Sequence, residues 1–101
     1  MSHVVPRQLD TIDILKQLMI NHEWVAIVRA NCGYSKRFLA EIKHRNLDCY
    51  VLEITDTRGS LMIALNKLYK KNIYTVPRII YRKELIGGWS DYDRRRRQHD
   101  C

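Results

Sequence analysis

Residues 24–35 read Trp-Val-Ala-Ile-Val-Arg-Ala-Asn-Cys-Gly-Tyr-Ser, a short apolar run followed by a loop that contains Cys32. The run is brief and rich in β-branched residues, which predicts a buried strand. Phe38, Leu39 and Ile42 then fall near one face of a helix predicted over residues 34–46. Cys32 is therefore expected at a strand-to-helix junction, in a loop where Gly33 interrupts the regular structure.

The position of Cys32 predicts a reactive thiol. The first turn of a helix presents unpaired N–H groups and the positive end of the helix dipole, and both stabilise a thiolate. Arg29, Lys36 and Arg37 are close in sequence and act in the same direction. The thiolate is the form that attacks disulfides. A redox role is therefore favoured over that of a small buried residue, which is common for free cysteine.

The rest of the chain alternates helical and strand-like patterns. In order, we predict a helix over residues 7–22, strands over residues 24–28 and 49–54, a helix over residues 60–71, and strands that begin at Val76 and Leu85. Arg82-Lys83-Glu84 is interpreted as a hairpin turn. Strand–helix–strand order implies a parallel pair with a right-handed crossover, and the hairpin adds an antiparallel edge. The predicted fold is α/β, with a mixed four-stranded sheet flanked by helices.

Composition indicates one ordinary globular domain over residues 1–101, of which 46% are hydrophobic. No apolar run approaches the roughly 18–20 residues of a membrane span, and the N-terminus lacks a signal-peptide pattern. We expect a cytoplasmic protein without a membrane partner. The net charge is +7, and it includes the run Arg94-Arg95-Arg96-Arg97. We interpret that run as a solvated tail rather than a nucleic-acid site, because no exposed aromatic residues are interleaved with it.

Three motifs, in this order, resemble the glutaredoxin family. They are Cys32-Gly33-Tyr34-Ser35, Thr75-Val76-Pro77-Arg78 and Ile86-Gly87-Gly88-Trp89-Ser90-Asp91. Family members carry a C-x-x-C or C-x-x-S site, a T-V-P segment with a cis proline, and a G-G pair followed by polar or acidic residues. The resemblance covers about residues 22–92. It implies a thioredoxin-like fold, with residues 1–22 as an N-terminal helical extension.

The resemblance also implies a glutathione site with Cys32 as its nucleophile. The implied binding residues are Arg29, Tyr34, Thr75, Val76, Pro77, Gly88, Trp89, Ser90 and Asp91. Val76 would pair its backbone with the cysteinyl part of glutathione, and Arg29 would face the glycyl carboxylate. Ser90 and Asp91 would hold the γ-glutamyl end, although a helix cap is their alternative role.

Ser35 stands where dithiol members have their second cysteine, so no resolving thiol lies within one helical turn of Cys32. The implied reaction is a monothiol deglutathionylation, with glutathione and glutathionylated proteins as partners. Gly33 resembles the members that share a [2Fe–2S] cluster between two protomers, each giving one thiolate and one glutathione. Two alternatives therefore stay open: a cluster-binding homodimer that uses Cys32, and a glutathione-binding module with little turnover. No other metal ligands are predicted.

The C-terminal segment departs most from the family. Only ten residues follow Asp91, so a shortened helix and a basic tail over residues 92–101 are expected. One face of the sheet would then be thinly covered, and a homodimer is one way to cover it. We interpret Cys49 as a packing residue. Cys101, at the chain end, is expected to be mobile, with an intermolecular disulfide or a resolving thiol as its alternative roles.

Overall fold

Helices and strands alternate along residues 11–99, the part of the chain that the computed structural model describes. The elements are α1 (Thr11–Asn21), β1 (Trp24–Val28), α2 (Gly33–Arg45), β2 (Cys49–Glu53), α3 (Ser60–Tyr69), β3 (Arg78–Tyr81), β4 (Glu84–Gly87) and α4 (Trp89–His99). The order of elements agrees with the sequence prediction. Residues 1–10 and 100–101, with the expectations that concern them, lie outside the described part. No described helix is long and apolar enough to cross a membrane.

The four strands form one mixed sheet in the order β2-β1-β3-β4. β1 and β2 are parallel, with Val25 opposite Tyr50, and α2 makes the crossover between them. β3 runs antiparallel to both β1 and β4. The predicted arrangement, a parallel pair with an antiparallel hairpin at the other edge, is therefore confirmed.

β1 is apolar throughout because both faces of the sheet are covered. Val25 and Ile27 belong to a core cluster that includes residues of α1 and α3, such as Leu15 and Met62. Ala26 and Val28 belong to a second cluster with Phe38 of α2, Ile79 of β3 and Tyr92 of α4, which we call the Phe38 cluster. Successive strand residues point to opposite faces, so a strand buried on both sides has no polar positions.

The C-terminal helix is longer than the sequence predicted. α4 continues to His99, which corrects the expectation of a basic tail for residues 92–99. Tyr92 holds it in place: the residue is 4% exposed, and its ring contacts Phe38 edge-on with centroids 5.0 Å apart. The Tyr92 hydroxyl donates to Glu41 Oε2 at 2.7 Å. This helix covers the sheet face that was expected to be thinly covered, so no dimer is needed for that purpose.

The arginine run lies on α4 and is paired with carboxylates. Nitrogen-to-oxygen distances are 3.4 Å for Arg94 to Asp91, 3.3 Å for Arg95 to Glu84, 2.7 Å for Arg96 to Asp93 and 3.1 Å for Arg97 to Asp93. Three of these pairs lie three or four residues apart on the helix, a spacing that stabilises helices modestly. The run is therefore part of a helix rather than a tail, although the Arg94 and Arg97 side chains remain solvated, at 66% and 73% exposed.

β3 begins two residues later than predicted, and β4 begins one residue earlier. β3 starts at Arg78 rather than Val76, since Pro77 has no N–H for the ladder. The Val76–Pro77 peptide bond is cis, as the resemblance implied. The turn comprises Arg82 and Lys83, both in the left-handed region with φ of 47° and 70°. Two such residues are typical of a tight two-residue hairpin loop, and Glu84 belongs to β4.

Candidate active site

Cys32 lies at the end of the loop that connects β1 to α2. It is the residue that precedes the helix, with extended backbone angles (φ −93°, ψ 127°). Its N–H donates to the Arg29 carbonyl at 3.1 Å, and its own carbonyl accepts the Lys36 N–H at 3.0 Å. Its thiol donates to the Val76 carbonyl, with Sγ and O 3.7 Å apart. The predicted junction is confirmed, and it brings the sulfur beside the segment that contains the cis proline.

The surroundings of Cys32 lower the pKa of its thiol below the ordinary value. The largest cause is the backbone N–H of Ser35, and partial burial opposes it. The Ser35 hydroxyl, the Tyr34 N–H and the positive charge of Arg29 lower the pKa further. These are the helix N-terminal donors and the nearby cation on which the sequence prediction depended.

Ser35 has two contacts at this junction. The residue is fully buried, and its Oγ accepts the Arg29 N–H at 3.1 Å. The same hydroxyl stabilises the Cys32 thiolate. The residue in the place of a second cysteine therefore fixes the loop and acts as a donor towards the sulfur.

A groove of about 560 Å³ opens beside Cys32. It is lined by Arg29, Cys32, Tyr34, Thr57, Tyr74, Thr75, Val76, Arg78, Gly88, Trp89, Ser90 and Asp91. The predicted site residues all line it except Pro77, which is fully buried. Three segments that are distant in sequence, after β1, before β3 and at the start of α4, therefore meet around one cavity.

The start of α4 closes one end of the groove. Asp91 Oδ2 accepts the Gly88 N–H at 2.9 Å, a contact typical of a helix N-terminus. Gly87 has φ of +125°, and a Cβ there would lie 2.3 Å from Asp91 Oδ2, so only glycine allows this approach. Asp91 is thus a cap, as its structural alternative predicted. Its side chain is still 46% exposed, so capping does not prevent contact with a ligand.

Three residues of the groove were not predicted: Thr57, Tyr74 and Arg78. Arg78 and Tyr74 border the Thr75-Val76-Pro77 segment, so their nearness to the motif was the available signal. Arg58 stacks over the Tyr74 ring, with its Cζ 4.4 Å from the centroid. Thr57 comes from the turn before α3, and nothing in its local sequence points to the groove.

The other described cysteine, Cys49, has a pKa shift in the opposite direction. Burial, together with the charge of Asp48, raises the pKa of the Cys49 thiol to about 12. Cys49 contributes to the Phe38 cluster and does not line the groove, as expected for a packing residue. Within residues 11–99 no three His, Cys, Asp or Glu side chains come together as a metal site.

Several solved structures that share this fold are glutaredoxins. A mutated buckwheat glutaredoxin has a TM-score of 0.76 at 18% identity, covering 88% of this chain and 81% of that one. Glutaredoxin C1 from Populus tremula x tremuloides, in its holo form, has a TM-score of 0.71 at 20% identity over 87% of both chains. The buckwheat glutaredoxin–glutathione complex has a TM-score of 0.70 at 18% identity, with 88% and 81% covered.

This chain has the glutaredoxin fold. No protein-family model matches the sequence, and no curated protein matches it. Likeness at 18–20% identity concerns the backbone, whereas function depends on the particular side chains of a site. The roles of the groove residues in this chain therefore have to be argued from their own geometry.

Proposed function

We propose that this protein is a glutathione-dependent thiol–disulfide oxidoreductase that acts through Cys32 alone. The observation that supports it is the thiol with a lowered pKa, open to a groove and with a buried serine in place of a neighbouring second thiol. A lowered pKa gives more thiolate near neutral pH, and the thiolate attacks disulfides. The same observation disfavours a binding module with little turnover.

In the first step, the Cys32 thiolate attacks the glutathione sulfur of a glutathionylated protein. A sulfur–sulfur bond forms between Cys32 and glutathione, and the bond between glutathione and the protein breaks. The substrate's cysteine leaves as a thiolate and takes a proton from solvent. No electrons are gained or lost overall, because one disulfide replaces another.

In the second step, a free glutathione thiolate attacks the glutathione sulfur of the mixed disulfide. Oxidised glutathione leaves, and the Cys32 thiolate is restored. The donors that lower the Cys32 pKa also make it a better leaving group. Ser35 cannot attack the mixed disulfide as a second thiol would, so glutathione supplies the second sulfur.

We assign glutathione to the groove in the orientation that the resemblance implied. Val76, whose carbonyl lies 3.7 Å from the sulfur, is suited to the cysteinyl part. Arg29 is suited to the glycyl carboxylate, and the exposed side of Asp91 to the γ-glutamyl ammonium. The buckwheat protein, solved as a glutaredoxin–glutathione complex, supports a ligand of this class.

A [2Fe–2S] cluster is the second candidate. Such clusters are held by four thiolates or their equivalent, and Cys32 is the one cysteine among residues 11–99 that lines the groove. A second copy of the chain and two glutathione thiols would have to complete the set. We therefore give the cluster no part in the mechanism. Anaerobic reconstitution with iron and sulfide, followed by visible absorption, tests it: a colourless monomer is expected.

Mass spectrometry after exposure to oxidised glutathione tests the main proposal. We expect one glutathione adduct, located on Cys32, in the wild type, Cys49→Ser and Cys101→Ser. The Cys32→Ser variant should form no adduct. Turnover of a glutathionylated peptide by glutathione should follow the same pattern. An adduct confined to Cys101, or turnover that survives Cys32→Ser, contradicts the proposal.

A further inference from the structure

Arg78 is a buried cation in the wall of the groove. The residue is 5% exposed. Its Nη2 donates to Thr75 Oγ1 at 3.3 Å, while its buried Nε has no hydrogen-bond partner within residues 11–99. A guanidinium carries five N–H donors, so most of the hydrogen-bonding capacity of this side chain is unused.

The surroundings of Arg78 contrast with those of the arginines on α4. Each residue of that run lies within 4 Å of a carboxylate oxygen, whereas Arg78 has no such ion pair in the described part of the chain. Burial lowers the pKa of Arg78, and the charge of Asp91 opposes this. Burying a charge is costly unless a partner compensates it. This arginine therefore has no counter-ion in direct contact among the described residues, at the place where the groove admits a ligand.

The location of Arg78 indicates what that counter-ion is. A Cβ on Gly88 would lie 3.9 Å from Nη2, so the guanidinium lies against the start of α4. Asp91 lines the same end, with one carboxylate oxygen towards the Gly88 N–H and the other 3.4 Å from Arg94. A cation and an anion that share one end of a groove match a zwitterion, namely an α-carboxylate beside an α-ammonium.

We propose that Arg78 binds the ligand's α-carboxylate at the α4 end of the groove. This inference rests on the proposed function, in which the ligand is glutathione. The γ-glutamyl residue then meets two side chains, with its carboxylate on Arg78 and its ammonium on Asp91. Arg29 remains for the glycyl carboxylate. The groove thereby selects peptides with a free α-amino-acid group at this end.

The test compares two probes that differ only in the α-carboxylate. The first is S-methylglutathione, which cannot form a disulfide. The second is S-methyl-4-aminobutanoyl-cysteinylglycine, which keeps the ammonium and the glycyl carboxylate. Dissociation constants are measured by NMR titration for the wild type and Arg78→Gln. Arg82→Gln is the matched control, because it removes the same charge from an exposed hairpin residue that is paired with Glu23.

We expect Arg78→Gln to bind S-methylglutathione about 10- to 100-fold more weakly, the range for a lost hydrogen bond to a charged group. The wild type should lose a similar factor when the probe lacks the α-carboxylate. Arg78→Gln should bind both probes equally, and Arg82→Gln should behave as the wild type. The melting temperature of ligand-free Arg78→Gln should not fall, because an uncompensated buried charge is removed.

Equal binding of S-methylglutathione by the wild type and Arg78→Gln overturns the assignment and leaves the proposed function intact. A loss of equal size for both probes assigns Arg78 a structural role and also overturns it. If the wild type binds neither probe, the proposed function itself fails. If Arg78→Gln does not fold, Arg78→Lys replaces it in the test. Lysine keeps the positive charge but lacks the planar guanidinium that binds a carboxylate through two hydrogen bonds. The proposal requires that Arg78→Lys discriminates between the two probes less than the wild type does.

Discussion

The two ends of the β-sheet differ in how completely the polar side chains near them are paired with other protein groups. At the groove end, where β1 finishes, the Cys32 thiol has a lowered pKa, and the buried Arg78 Nε has no hydrogen-bond partner among the described residues. At the opposite end, where β1 begins at Trp24, Glu41 accepts the Tyr92 hydroxyl and pairs with Arg45. Uncompensated groups cost stability, and they persist where the surrounding structure holds them. On α4, Arg96 Nε and Asp93 Oδ1 are also buried without hydrogen-bond partners among the described residues, but these two side chains form an ion pair with each other. The groove end differs because its groups are available to a ligand.

The two described cysteines show the same contrast. Both are half-buried, yet the pKa of Cys32 is lowered and that of Cys49 is raised to about 12. Cys32 faces the N–H groups of a helix start, whereas Cys49 begins β2 next to Asp48. Burial of the Cys49 sulfur is the largest cause of its raised pKa, whereas the backbone N–H of Ser35 is the largest cause of the lowered pKa of Cys32.

Thiol alkylation should show the largest effect. With a pKa of about 12, roughly one in 10⁵ of the Cys49 thiols is ionised at pH 7. The pKa of Cys32 lies below the ordinary value near 9, so more than about one in 100 of its thiols is ionised at pH 7. A thiolate of lower pKa is intrinsically less nucleophilic, which reduces this ratio. In a Cys101→Ser background, Cys32 should therefore react with iodoacetamide at least about 30-fold faster than Cys49, and burial of the Cys49 sulfur increases the ratio further. Peptide mapping by mass spectrometry measures both rates at once.

Denaturation in urea gives a control, because unfolding removes the environments of both sulfurs. The two rates should then converge to within a few-fold. Comparable rates in the folded protein would contradict the contrast between the two ends.

Tyr92 tests the supporting role of the Trp24 end. Tyr92→Ala removes a buried ring from the Phe38 cluster and should lower the free energy of unfolding by about 3–5 kcal/mol. Tyr92→Phe keeps the ring and removes the donor to Glu41, and a loss of about 1–3 kcal/mol is expected. Urea titration measures both. If Tyr92→Phe is as destabilising as Tyr92→Ala, the hydroxyl rather than the packing anchors α4.

The extent of α4 was the part of the fold that sequence reasoning missed. Strands and earlier helices were evident because their apolar positions recur with the period of the element. Residues 92–97 have one buried apolar side chain, Tyr92, and some of their charged residues pair with carboxylates on other elements, such as Glu41 and Glu84. Those partners become apparent only after folding, so the local sequence was typical of a tail.

The site could be predicted because its motifs carry local chemistry. A cysteine before a helix and a glycine pair before an acidic cap can each be recognised from a few neighbouring residues, because both belong to the start of a helix. Thr57 has no such signature, and the only local signal for Arg78 is that it follows Pro77. Their importance depends on burial and on meeting distant segments around the groove.

Ser35→Ala should change the pH dependence of Cys32. The Cys32 pKa is lowered, so its alkylation rate is high above that pKa and falls as the pH drops through it. Removing the hydroxyl raises the pKa, but the Ser35 N–H, the largest cause of the lowering, stays. The midpoint of the rate–pH curve should therefore move to higher pH, with a loss of about 3- to 10-fold below it. The rate well above the midpoint should be unchanged; a lower plateau instead indicates a misplaced sulfur.

Gly33→Ala should have the smallest effect, although Gly33 adjoins the reactive cysteine. Gly33 is the first residue of α2, where the sequence predicted a loop breaker, and a Cβ there would meet nothing within 4 Å. Alanine restricts the unfolded chain, so the free energy of unfolding should rise by about 0.4–1 kcal/mol in urea titration. The Cys32 alkylation rate should stay within two-fold, roughly, because the donors towards the sulfur belong to Ser35 and Tyr34. A marked loss of reactivity would show that Gly33, and not only the helix start, sets the environment of the thiol.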